Sequence, residues 1–324
     1  MSKLSRRTVL RILGLGATAA MTARVPVLGR QGGNGAHIFL DMTQEELNAA
    51  YSQSDYAPNA AQVISRYRSN SELARQRLGS PRRFSYGERD IEAMDVFPAA
   101  TSNAPIHVFV HGGAWQQGTA APYAFLAETF VGAGIHFVAL DFSLVQDVGD
   151  SLYPIADQLR RAMAWIYENA EQFDGDRDRI FISGHSSGAH LAGVLLTTDW
   201  SAMSLPADVI KGGVCCSGIY DLEPVRLSHR GEYIAFTDAM EHDLSPIRHI
   251  EYLNAPVVVA YGSRETREFQ RHSRDFAAAI NAAGKPVELV VAEHYNHFEV
   301  IETMASPYGV VGQAALTQVF NTRS

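Results

Sequence analysis

Apolar residues follow two different periods along this chain. From Phe84 onward, short runs rich in Val, Ile and Phe alternate with longer stretches whose apolar positions recur every three or four residues. Residues 84–86, 91–97, 106–110, 135–142, 180–183, 209–216, 257–261 and 287–292 read as strands. The run 91–97 alternates as an edge strand does, whereas 106–110 is continuously apolar. Helices are expected around 123–131, over 154–170, 186–197 and 269–283, and near 313–320. In the second of these Ile155, Leu159, Ala162, Met163 and Ile166 share one side. Apolar strands separated by amphipathic helices imply an α/β fold, a mostly parallel central sheet with helices on both faces.

Ahead of this pattern lies a helical lead-in. Thr43-Gln44-Glu45-Glu46 is a capping box that starts a short helix. A second helix is expected from its cap Asn59 through Tyr67, and a third from Ser71 to Leu78, stopped by Gly79. The lead-in offers no chemistry of its own and either covers one side of a site or packs on the sheet. Residues 221–254 show no clean period, and a connection that long inside a domain points to a cap over a pocket.

Charge divides the chain. Residues 1–30 contain Lys3, Arg6, Arg7, Arg11, Arg24 and Arg30 and no acid, whereas residues 31–324 carry 21 basic and 35 acidic side chains, a balance of −14. The acidic body argues against nucleic acid or an anionic membrane as partner and leaves a small molecule. The Ser5-Arg6-Arg7 start, with a short Gly/Ala-rich apolar run behind it, is similar to a twin-arginine export signal. It is too short and glycine-rich for a permanent anchor, so residues 1–30 are expected to be an address to the periplasm or beyond. If it is not a signal, it is a basic tail on a cytoplasmic protein. Residues 31–324 then form a single domain. The only cysteines, Cys215 and Cys216, are adjacent and suit neither a disulfide nor a zinc site. His229, Glu241, His242, Asp243 and His249 lack metal-ligand spacing, and there is no Gly-rich nucleotide motif, so neither metal nor cofactor is expected.

The chemistry centres on residues 180–191, IFISGHSSGAHL, which read as strand, sharp turn and helix with Ser186 at the apex of G-x-S-x-G. A serine nucleophile needs a base, a group to orient the base, and donors for the oxyanion. His111-Gly112-Gly113-Ala114-Trp115 follows a buried strand, so the N–H groups of Gly112 and Gly113, with that of Ser187, are the candidate donors. The base is expected just after the last strand, where His297 is preferred and His294 is the alternative. The acid is expected after strand 257–261, where Glu265 is preferred and Glu268 suits a helix start. Trp115, His185, Tyr220 and Phe298 adjoin these motifs and either line a substrate pocket or pack.

Taken together, the H-G-G-A-W loop, the G-H-S-S-G-A-H-L elbow, Ser217-Gly218-Ile219-Tyr220-Asp221-Leu222, the Glu265…Glu268-Phe269 loop and Asn296-His297-Phe298 resemble the kynurenine formamidase (arylformamidase) branch of the α/β-hydrolases and its bacterial esterase and lipase relatives. The resemblance covers roughly residues 40–320. It implies the α/β-hydrolase fold, a serine hydrolase of small esters or amides, Ser186 as nucleophile, Glu265 as acid and His297 as base. Animal members carry Asp where this chain has Glu265. A silent α/β-hydrolase used only for binding is the rival of another class, and no member of the triad is missing here to favour it.

Overall fold

A computed structural model describes residues 35–321. Among these residues eight strands form one sheet: β1 (Arg82–Ser85), β2 (Ala93–Phe97), β3 (Ala104–Val110), β4 (His136–Leu140), β5 (Gly175–His185), β6 (Ile210–Cys216), β7 (Val257–Gly262) and β8 (Val287–Ala292). Their order is β1-β2-β4-β3-β5-β6-β7-β8. The pairs β1/β2 and β2/β4 are antiparallel and every other pair is parallel.

Alternation of side chains divides the core between the two faces of this sheet. On one face Val108, Ile182, Cys215 and Val259 pack with helices Tyr153–Asn169, Ser187–Leu196 and Arg267–Ala282. On the other, Phe109, Phe181, Cys216 and Ala260 pack with helices Ala60–Leu78, Ala127–Gly132 and Val310–Asn321. Both cysteines are free and fully buried, one in each layer.

Three expectations are corrected. The two helices expected over 59–67 and 71–78 are one helix, Ala60–Leu78. Ser71 does not cap anything: it is buried, donates its hydroxyl to the Pro122 carbonyl at 2.7 Å and accepts from Phe125 N–H at 3.1 Å. Strand β2 starts at Ala93 because the chain before it turns, Glu92 N–H donating to the Arg89 carbonyl at 2.8 Å. The strand expected at 180–183 extends over Gly175–His185. Elsewhere boundaries move by a few residues, and the capping box at Thr43 and Glu46 is formed.

The long connection after β6, which shows no clean period in sequence, is built of short helices and 3-10 turns. It lies on the elbow helix Ser187–Leu196, where the Leu244 carbonyl accepts from His190 Nε2 at 2.7 Å. The expected export signal at residues 1–30 lies outside the described residues. Among the described residues no helix is long and apolar enough to cross a membrane.

Candidate active site

Strand β5 ends at His185, Ser186 follows with φ 58° and ψ −125°, and the helix begins at Ser187. Such a backbone is unfavourable for a side-chain-bearing residue and persists only where the surroundings dictate it. The surroundings do so here. A Cβ on Gly184 would lie 2.2 Å from the Gly188 carbonyl oxygen, and one on Gly188 would lie 2.1 Å from that of Val110. Glycine at both positions lets the chain reverse tightly enough to lift Ser186 above the carboxyl end of the sheet.

Ser186 Oγ lies 2.9 Å from His297 Nε2, and His297 Nδ1 lies 3.0 Å from Glu265 Oε2. A carboxylate only accepts, so Nδ1 carries the proton, which leaves Nε2 as the acceptor for the serine hydroxyl. Glu265 is buried, and its Oε1 accepts from Ser217 Oγ at 2.5 Å and from Gly262 N–H at 2.7 Å. Ser217 stands just past β6 with φ 57°, a left-handed conformation that turns its hydroxyl toward the carboxylate. Its backbone is visible as a strand end in the sequence, but its contact with Glu265 is not.

His297 is held from a second side. His185 Nε2 lies 2.8 Å from the His297 carbonyl, which only accepts, so His185 carries its proton on Nε2 and leaves Nδ1 bare. Burial, reinforced by the neighbouring His297, lowers the His185 pKa from 6.5 to about 3, so this ring stays neutral. Asn59, at the start of helix Ala60–Leu78, donates to Glu299 Oε1 at 2.6 Å and accepts from Asn296 Nδ2 at 2.8 Å. The lead-in therefore clamps the loop that carries His297.

The loop after β3 presses against the elbow: a Cβ on Gly112 would meet the His185 carbonyl oxygen at 2.8 Å and Ser186 Cβ at 3.0 Å. Trp115 N–H donates to Ser187 Oγ at 3.3 Å. Among the described residues the backbone N–H groups of Gly113 and Ser187 donate to no protein acceptor, whereas that of Gly112 faces the Tyr123 hydroxyl. Gly113 and Ser187 stand beside the serine as open donors.

A cavity of about 420 Å³ opens over Ser186, a size that fits a small-molecule ligand. Its walls include His185, His297 and Phe298, as expected, together with Tyr51, Tyr67 and Arg230. Two expected pocket residues lie elsewhere. Trp115 is buried behind the loop, edge-on to His190 at 5.2 Å, and Tyr220 is buried under the sheet end, stacked on Phe276 at 4.2 Å. Both were motif neighbours whose side chains turn into the core. The alternatives for base and acid also lie apart: His294 is exposed, with its backbone N–H on Ser263 Oγ, and Glu268 pairs with Arg271 at 2.7 Å. The lead-in, for which sequence offered two roles, lines the cavity with Tyr51–Ser54 and part of helix Ala60–Leu78; from the expected cap, His229 and Arg230 reach it.

The kynurenine formamidase of Danio rerio is 30% identical to this chain over 276 residues, spanning 81% of this chain and 92% of its own. That of Salmo salar is 30% identical over 293 residues, spanning 86% and 96%. The chain belongs to the kynurenine formamidase family. Two further families match in part, BD-FAE over residues 94–209 and the prolyl oligopeptidase family over residues 155–309. A solved structure of a proposed thioesterase from Silicibacter sp. TM1040 superposes with a TM-score of 0.72 at 27% identity, covering 82% of this chain and 99% of its own. Membership of this family makes the chain an α/β-hydrolase and a hydrolytic enzyme.

Proposed function

We propose that this protein is a serine hydrolase that cleaves small aryl or acyl carboxylic esters or amides through an acyl-enzyme. The observation that carries the reading is the continuous chain from Ser186 Oγ through His297 to Glu265, with separations of 2.9 Å and 3.0 Å. His297 Nε2 takes the hydroxyl proton as Ser186 attacks the carbonyl carbon, and the imidazolium so formed is stabilised by Glu265. The developing oxyanion is met by N–H groups of the Gly112–Gly113 loop and of Ser187. His297 then returns its proton to the leaving alcohol or amine as the acyl C–O or C–N bond breaks. A water molecule, deprotonated by His297, releases the acid and regenerates Ser186.

A second reading is a kynurenine formamidase proper, acting on N-formylkynurenine. The relatives of that name, 30% identical over most of this chain, favour it. The pairing of Arg6 and Arg7 ahead of an apolar run supports export through a twin-arginine route, which favours an extracytoplasmic substrate and hence the broader reading. Comparing kcat/KM on N-formylkynurenine with that on p-nitrophenyl acetate and butyrate decides between them. The formamidase reading requires the formamide to exceed both esters. Fractionation of the native host tests the export reading, which predicts activity outside the cytoplasm that is abolished by Arg6→Lys with Arg7→Lys.

A further inference from the structure

Among the described residues Arg230 is a buried cation without a counter-ion. Its side chain is 7% exposed, and it lines the same cavity as Ser186. Nη2 donates to the Tyr51 carbonyl at 3.1 Å, whereas Nη1 has no hydrogen-bond partner. Three rings surround the guanidinium, those of Tyr51, Trp115 and Phe269, at 5.4, 5.8 and 5.9 Å. Among the described residues no carboxylate pairs with it. Its neighbours in sequence and space are treated differently: Arg226 pairs with Asp238 and Glu241, and Arg271 with Glu268 and Asp275.

An uncompensated buried charge is costly, and proteins remove it by pairing unless something else supplies the partner. The cost here is built in. The Arg230 turn is fixed by Ser228 Oγ, which accepts from Arg230 N–H at 3.2 Å, and by Asn48 Oδ1, which accepts from His229 N–H at 2.7 Å. Tyr51, which receives Nη2, is itself fixed by a 2.8 Å bond between its hydroxyl and His272 Nε2. The guanidinium is thus held at the cavity wall by both the lead-in and the connection after β6.

The remainder of the wall has the same sign. The cavity lining includes Arg68 as well as Arg230 and contains no Asp or Glu, in a body whose balance is −14 over residues 31–324. Glu265 stands behind His297 and is already occupied by three donors. We infer that the substrate carries an anionic group, a carboxylate, which Arg230 receives while Ser186 attacks the ester or amide carbonyl. The assignment rests on the serine-hydrolase reading and adds the residue that selects for charge at that site. A planar guanidinium fork suits bidentate recognition of a carboxylate.

The test uses a matched pair, 3-acetoxybenzoate and the neutral 3-acetoxybenzamide, with the full-length enzyme. Wild type is expected to favour the anion in kcat/KM by at least about tenfold, the range of a charge-assisted hydrogen bond at a desolvated site. Arg230→Gln brings that ratio toward one, and Arg230→Lys, which keeps the charge but not the fork, gives an intermediate ratio. A wild-type ratio of one, or a parallel fall on both substrates in both variants, overturns the inference and leaves Arg230 as packing. Fluorophosphonate labelling of Ser186 separates the two levels. Labelling that benzoate and benzamide suppress equally overturns the anion site alone. A folded protein that never labels overturns the serine-hydrolase reading and this inference with it.

Discussion

Ser217 Oγ donates to Glu265 Oε1 at 2.5 Å from a backbone with φ 57°. With the Gly262 N–H on the same oxygen, this contact fixes the plane of the carboxylate, so that Oε2 is the oxygen facing His297 Nδ1. The ends of β6 and β7 thus jointly set the tautomer of the base. Ser217→Ala removes one donor from a buried acceptor, a change worth about 1–1.5 kcal/mol. The expected result is a roughly tenfold fall in kcat with KM little changed. An unaltered kcat would show that Gly262 alone holds the carboxylate.

Replacing Glu265 by Gln tests the same arrangement more severely. The amide presents a donor or a weak acceptor to Nδ1 where the ring needs a charged acceptor, so the proton no longer belongs on that nitrogen. Activity is expected to fall by about three to four orders of magnitude while the thermal unfolding midpoint stays near that of wild type. Glu265→Asp keeps the charge and shortens the reach, so it retains more activity than the amide. Equal activities for the two variants would contradict an electrostatic role for the carboxylate.

The elbow glycines answer to stability before activity. Gly184→Ala and Gly188→Ala each place a Cβ within about 2.2 Å of a backbone oxygen, and backbone in a strand and a helix start does not yield cheaply. Both variants are expected to lower unfolding free energy by about 3 kcal/mol or more, measured by urea titration. A loss below about 1 kcal/mol would mean the elbow relaxes without cost.

Buried histidines set an acid limit. Burial lowers His107 and His185 from 6.5 to about 3 and His190 to about 4. The unfolded chain takes up protons below pH 6.5 that the folded chain refuses, so the stability these rings contribute is present above 6.5 and lost as pH falls toward their folded values. Between pH 7 and pH 5, His107 and His185 each account for about 2 kcal/mol of lost stability. His107→Gln should therefore flatten the dependence of unfolding free energy on pH, whatever it does to stability at pH 7. An unchanged slope would show that His107 titrates in the folded protein.

Legibility from sequence tracked whether a feature is made by neighbours in the chain. The elbow could be read because strand, glycines, serine and helix are contiguous, and a Cβ on Gly184 would strike the backbone of Gly188. The positions of Glu265 and His297 followed from their places just past β7 and β8. Features made between distant segments were not readable. Nothing near Ser217 announces a carboxylate 48 residues later, and nothing near Arg230 announces the Tyr51 carbonyl 179 residues earlier. Tyr220 and Trp115 looked like pocket residues because they adjoin motifs, but adjacency does not say which way a side chain turns. The break read at Ser71 failed for a related reason, since its hydroxyl serves a segment fifty residues away instead of a helix end.

The central claim is that Ser186 is the nucleophile. Its most direct test is kcat of Ser186→Ala on p-nitrophenyl acetate, measured beside wild type after both are shown to unfold at the same temperature. The account predicts a loss of about 10⁴-fold or more, with the fluorophosphonate adduct found on Ser186 of wild type and nowhere on the variant. A variant that keeps wild-type activity would contradict it.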